Sequence, residues 1–377
     1  LYGDKWFCSC ADGDVALLLA RPEGAVEGTA GLGLFALPRR LDDGSRNPYR
    51  IVRLKEKLGT RSMASGEIVF EGAVAYPLGE VGSGRNAGLK QMLDQVNMSR
   101  ISHGVRASAM MRRCVNEAMA VARNRLAFGE VILNKPLLRR QLMKLLVPTE
   151  QALSMAMFTG LQLERADAGD AKAESLLRIL TPLLKFRTCR DNIAVATGAM
   201  EIRGGNGYIE DWVNSRLVRD AHLGVLWEGT SNINALDVTT RAVAKVGAHK
   251  TLGDALGEIV EASSEIPGQL KGALQATTER AVSVADEIAA SGNETLARRA
   301  ADALYHVTSA VLLAQEGAEL GAMGEDARRL VLANMVLNHR LRPQDPLAMP
   351  ADEDEATQAL LDDAPISLER ARALATA

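Results

Sequence analysis

Along the first 88 residues, short apolar runs alternate with Gly, Pro, Asp and Asn: KWFCSC, VALLLA, GLGLFAL, YRIVRL and GEIVFEGAVAY. That punctuation predicts a series of β-strands joined by turns. From about residue 88 the texture changes. Leu, Met, Ala and Arg recur at helical spacing, with Pro and Gly rare inside long segments, which predicts helices over 88–127, 136–167, 170–204, 211–222 and 230–246. Breaks are expected at Gly129, at 167–169 and at 204–207. Beyond 250, Ala-rich amphipathic patterns predict helices over 251–290, 293–320 and 325–340, followed by an acidic stretch, RPQDPLAMPADEDE, and one last helix. No internal repeat of convincing period is present. The expected fold is α+β: antiparallel strands over 1–88, an all-α bundle over 89–246, and an additional helical domain with an acidic linker over 247–377.

A length of 377 residues suits two or three domains. With 47% hydrophobic and 24% charged residues, collagen-like, low-complexity and disordered chains are excluded. No run approaches the roughly 20 uncharged apolar residues of a membrane span, since VALLLA is ended by Arg21. Cys8, Cys10, Cys114 and Cys189 lack zinc or redox spacing, so reduced thiols, a cytoplasmic setting and no metal site are expected. The chain starts at Leu1 without a leader pattern and reads as a piece of a longer protein. Its net charge of −3 hides an asymmetry: residues 1–246 carry +7, whereas 247–377 carry 11 Lys and Arg against 21 Asp and Glu, or −10. A basic front suits phosphate-bearing ligands, and the acidic end argues against a nucleic-acid surface there.

The densest chemical signal runs from Arg203 to Ile233, as RGGNGYIEDW and then RLVRDAHLGVLWEGTSNI. Taken alone, the glycines form a helix cap and turn that also let a backbone approach a partner closely. Glu228 stands between Trp227 and Gly229, ahead of Thr230, Ser231 and Asn232, all good caps for a following helix. A carboxylate beside an indole is expected to be partly desolvated, which favours its use as a base. The plainer reading is an acid placed to suit a helix dipole.

The pattern GGNGY, then RD, then WEGTSNI resembles the C-terminal signature of the acyl-CoA dehydrogenase flavoprotein family. The likeness extends back through RNRLAFG, NMSR at 97–100 and GDKWFCS at 3–9, covering roughly residues 1–245 in family order. With ALDV and the helical extension, it looks most like the AidB-like alkylation-response branch. In the family a helical domain precedes the β domain, so the resemblance implies a chain that starts inside the β domain. It further implies FAD as cofactor, an acyl-CoA substrate, and Glu228 as the base that removes the α proton while the β hydride passes to flavin N5. Ser99 matches a position where some relatives carry the base instead, and a hydroxyl cannot serve as that base.

By the same resemblance, Phe7 and Ser9 lie on the strand passing the flavin, although the two alone are also a plain half-buried strand. Arg125 and Phe128 match residues reaching an FAD held mainly by a neighbouring subunit; alone, Arg125 is a helix-end cation. Glu201, Gly204, Gly205, Thr230, Ser231 and Asn232 match flavin-contacting positions. Asn97, Ser99, Arg100 and Gly229 match positions at the substrate end, where Arg100 alone is a surface arginine. An electron-transfer flavoprotein is the implied electron acceptor, and a dimer or dimer of dimers the implied assembly. The branch also carries an alternative, a DNA-binding protective flavoprotein with weak dehydrogenase activity. Glu201 and Pro136 stand where many members have Gln, Thr240 where many have Arg, and Trp227 where Tyr is common. These changes imply weaker cofactor and acyl-CoA binding and a reshaped acyl pocket. The stretch 81–91 reads as longer than usual before the long helix.

Overall fold

The computed structural model describes residues 1–81, 87–345, 347–348 and 352–375; most of the long stretch before the first helix, residues 82–86, lies outside the described residues. Two compact units are present, Leu1–Ser99 and Arg100–Ala377.

In the first unit the strands are β1 (Tyr2–Cys8), β2 (Val15–Ala20), β3 (Gly33–Pro38), β4 (Tyr49–Leu54), β5 (Gly66–Glu71) and β6 (Tyr76–Leu78). They form two three-stranded antiparallel sheets, β1-β5-β4 and β2-β3-β6. Alternation along the strands turns Cys8, Leu18, Leu37, Ile68 and Phe70 into a small core with Ala11 and Ala73. A register shift between Lys5 and Cys8 lets two residues of β1 bulge against β5. Asn47, buried, pins the turn after β3: its amide donates to the Pro38 and Val74 carbonyls and its oxygen accepts from the Val74 N–H.

The boundary between the units falls within α1 (Ala87–Asn124). After it come a small hairpin, β7 (Leu126–Ala127) and β8 (Glu130–Val131), then α2 (Pro136–Asp167), α3 (Ala171–Arg203), α4 (Val213–Ala221) and α5 (Ser231–Asp237). Proline at the first turn starts α2, where a missing N–H is harmless. The Asp170 carboxylate caps α3 by accepting from the Lys172 and Ala173 amides at 2.8 and 3.1 Å. The helix expected over 230–246 ends sooner, because α5 passes at Val238 into a π-helical turn reaching Val243.

The remaining helices are α6 (Ala248–Ala262), α7 (Gly268–Ser291), α8 (Ala297–Ala322), α9 (Arg328–Val336), α10 (Asp354–Leu361) and α11 (Leu368–Leu374). One helix over 251–290 was expected, and two are found. Ser263 and Pro267 both adopt extended backbone between them, and Pro267 has no N–H to continue α6. Similarly, α9 passes into a π-helical turn over Leu337–Leu341, and the last helix is a pair. Compactness does not separate 247–377 from the helices before it. One apolar core runs from Met111 to Ala375, and α8 is buried on nearly every face from Ala300 to Ala314. A helix apolar all round needs partners on all sides, and α2, α3, α5, α6, α7 and α9 all pack on α8. Among the described residues no helix is long and apolar enough to cross a membrane.

Candidate functional site

The segment from α4 to α5 tightens into a 3-10 turn at His222–Val225 and then bends sharply at Glu228 and Gly229, with φ of 53° and 91°. Gly tolerates the left-handed region, but Glu is strained there by about 1–3 kcal/mol, so something must hold it. Three side chains do so, through successive carbonyls. Arg100 Nε from α1 donates to the Glu228 carbonyl at 3.1 Å. The Lys185 ammonium from α3 donates to the Gly229 carbonyl. Asn234 Nδ2 from α5 donates to the Gly229 and Thr230 carbonyls at 2.9 and 3.0 Å.

Behind the loop, Arg100 Nη1 meets Asp237 Oδ2 at 2.8 Å, and Arg178 Nη2 meets the other carboxylate oxygen at 2.7 Å. Arg100 and Asp237 are buried, so their charges are compensated by each other rather than by water. Lys185 is 1% exposed. Burial drives its ammonium down to about 8; the Arg100 charge acts the same way, while Cys189 and Glu228 oppose it. Trp227 leans edge-on against His103, ring centroids 5.3 Å apart. The result is a half-buried carboxylate on a backbone that cannot easily shift.

Thr230 occupies the N-cap of α5, as expected of its type, yet its hydroxyl makes no capping bond. Ser231 is buried, with Arg190 Nη1 3.4 Å from its hydroxyl, and Asn232 is exposed. A second grouping joins the ends of α1 and α3. Arg125 Nη1 donates to the Arg203 carbonyl at 3.3 Å, and a Cβ on Gly204 would lie 3.1 Å from that nitrogen, so glycine keeps the guanidinium's place open. Gly205 is exposed beside it. Glu201, in place of the common Gln, accepts from Gln141 Nε2 at 2.8 Å. Phe128 sits at the hairpin turn with φ of 55° and is 88% exposed.

In the first unit, Phe7 is exposed beside the β1 bulge, with Lys55 Nζ 4.8 Å from its ring centroid. Ser9 was expected on the strand; it lies in the turn just past it, because β1 ends at Cys8. Asn97 and Ser99 are half-buried positions of α1.

Small antiparallel sheets followed by a long run of packed helices are the acyl-CoA dehydrogenase fold. Residues 86–243 match the family description "Acyl-CoA dehydrogenase, C-terminal domain". The chain belongs to the acyl-CoA dehydrogenase family. It is 37% identical over 245 residues to acyl-CoA dehydrogenase family member 11 of Caenorhabditis elegans, covering 63% of this chain and 39% of that protein. It is 35% identical over 259 residues to the putative acyl-CoA dehydrogenase AidB of Escherichia coli K12, covering 69% of this chain and 46% of that protein. The crystal structure of C. elegans ACDH-11 in complex with C11-CoA superposes with a TM-score of 0.81 at 29% identity, over 91% of this chain and 60% of that one. The chain thus spans less than half the length of these two curated relatives.

Sequence reasoning missed Lys185, Arg178, Asp237 and Asn234. Lys185 carried a signal: it interrupts the otherwise apolar run Leu183, Leu184, Phe186, whose members are all buried. Asp237 lay inside the ALDV block, read only as a mark of kinship.

Proposed function

We propose that the protein performs α,β-dehydrogenation of an acyl-CoA thioester, with Glu228 as the base that takes the α proton. The observation carrying this reading is the clamped Glu228–Gly229 step. Its carbonyls are bonded to Arg100, Lys185 and Asn234, so the carboxylate is presented from a fixed backbone. Positioning of this kind removes much of the orientational cost of proton transfer.

FAD is the redox group of this reading, and when bound it supplies the acceptor for the β hydride. The residues fit it. Arg125 is exposed and spends one nitrogen on the Arg203 carbonyl, leaving donors of its planar fork for a diphosphate beside Gly204 and Gly205. The Thr230 hydroxyl, free of capping duty, and exposed Asn232 supply further polar groups. Phe128 is assigned to a flavin held in a second subunit, which makes the working assembly at least a dimer, and Phe7 and Ser9 are the flavin candidates of the first unit. Electrons leave to an electron-transfer flavoprotein.

The decisive experiment mixes the flavin-loaded protein anaerobically with a panel of acyl-CoAs and follows flavin absorbance. At least one thioester bleaches the flavin, and Glu228→Gln slows bleaching at least about 100-fold. Failure of every thioester, or a Glu228→Gln variant as fast as wild type, sinks the reading.

A second reading, nucleic-acid binding, has one observation in its favour. A cavity of about 510 Å³ in the first unit is lined by Arg39, Arg40, Arg46 and Arg50, together with Asp12 and Tyr49. Arg39 is partly neutralised by Asp14 at 2.7 Å. Phosphate contacts make binding fall steeply with salt. Absence of duplex binding even at low salt removes this reading.

A further inference from the structure

We propose that Lys185 is the positioning residue that sets how Glu228 is presented, through its ammonium on the Gly229 carbonyl, and that losing this charge switches proton abstraction off at alkaline pH. The inference rests on the function proposed above for Glu228.

Lys185 lies among Leu183, Leu184 and Phe186, all fully buried, in a setting where Met would pack without the cost of desolvating an ammonium. The Gly229 carbonyl already receives Asn234, so satisfying that oxygen does not by itself require a lysine. What the ammonium adds is a second, charged tether at the residue next to Glu228, in the two-residue step where both φ values are positive. A tether on the following carbonyl fixes the direction in which the Glu228 side chain leaves the backbone.

Of the three clamps, only this one can change charge near physiological pH. Asn234 carries no charge, and the third clamp is a guanidinium, a group that proteins do not deprotonate. The charged and titratable groups facing Lys185 are Arg100 from α1, Cys189 one turn on in α3, and Glu228 from the loop. Cys189 is buried, which pushes its thiol up and keeps it neutral. Deprotonation of Lys185 therefore changes the charge that grips the loop, while the Arg100 to Asp237 pair behind it is untouched.

The test uses Lys185→Met, which keeps volume, and Lys185→Arg, which keeps charge, with two readouts. Hydrogen exchange at pH 7 on the chain alone should show the amides of residues 226–232 opening roughly 10-fold faster in Lys185→Met, with α2 unchanged and Lys185→Arg near wild type. Stopped-flow flavin reduction by an acyl-CoA should fall roughly 10- to 100-fold in Lys185→Met at pH 7 with thioester affinity within about 2-fold. Wild type should lose rate as pH rises through about 8, and Lys185→Met should lack that limb. Unchanged loop exchange together with a retained alkaline limb in Lys185→Met overturns the proposal. If Lys185→Met does not fold, loop protection of wild type at pH 7 and pH 9.5, each relative to the intrinsic exchange rate at that pH, decides in its place, and unchanged protection overturns the proposal. If no thioester reduces the flavin in wild type, the proposed function fails, and the exchange arm alone judges the tether.

Discussion

Asp237 is one carboxylate facing three guanidiniums, with Arg100 on one oxygen and Arg178 and, at 3.9 Å, Arg241 on the other. Asp237→Asn leaves the buried Arg100 charge without its counter-ion and should cost roughly 3–5 kcal/mol of stability, read as a lower urea midpoint at unchanged slope. Lys185 ties stability to pH in a defined direction. Its folded-state pKa is lowered to about 8 from 10.5, so between those values the unfolded chain binds more protons and stability rises with pH. The gain across the window is on the order of 3 kcal/mol. Comparing urea unfolding at pH 7.5 and 10 should show a steeper rise for wild type than for Lys185→Met; equal slopes would contradict it. At this scale the sequence reading singled out Glu228, because a motif carries it, and Arg100 only as a position. It did not single out Lys185 or the ion pairs of Asp237. A charged residue in a helical run looks the same whether it faces water or another helix, and only packing decides which.

Among the elements, boundaries were legible where one residue does the stopping. Pro136 and the turn at Gly169 bound α2, whose expected span matches the structure. Asp170 opens α3 just as clearly, and Asp170→Ala should lower stability by about 1 kcal/mol, with the loss confined to a urea midpoint shift. Spans were misread where amphipathic spacing continued across a break. The pattern of α6 runs on into α7, although Pro267, which has no N–H to continue α6, stands at the break. The π-helical turn after α5 has no sequence mark of its own. There Thr240 bonds back to the Leu236 carbonyl at 2.7 Å, a local choice that competes with regular helix.

For the molecule as a whole, the apolar core of the second unit is continuous from Met111 to Ala375. Leu313→Ala on α8, at a fully buried position, should therefore cost about 2–5 kcal/mol. Helix content and the fluorescence of Trp227, isolated by Trp6→Phe and Trp212→Phe, should lose their signals together in urea. Two separated transitions would show that 247–377 unfolds independently. The charge asymmetry between 1–246 and 247–377 was plain in the sequence, but it did not predict a packing boundary. Polar partners cross that line: Gln151 reaches Ser309 at 2.7 Å, Arg187 reaches Asp302 at 2.8 Å, and Glu150 reaches Arg329 at 3.0 Å.

Those crossings constrain descent as well as stability. The segment beyond residue 243, where the family match ends, shares its apolar core and several polar pairs with the helices before it. A shorter cousin ending there would inherit Gln151 without His306 and Ser309, whereas Glu150 would keep Arg112 and Arg187 would keep Asp191. Such cousins should carry an exposed or differently paired residue at position 151, with Gln present alongside the extra helices and replaced without them.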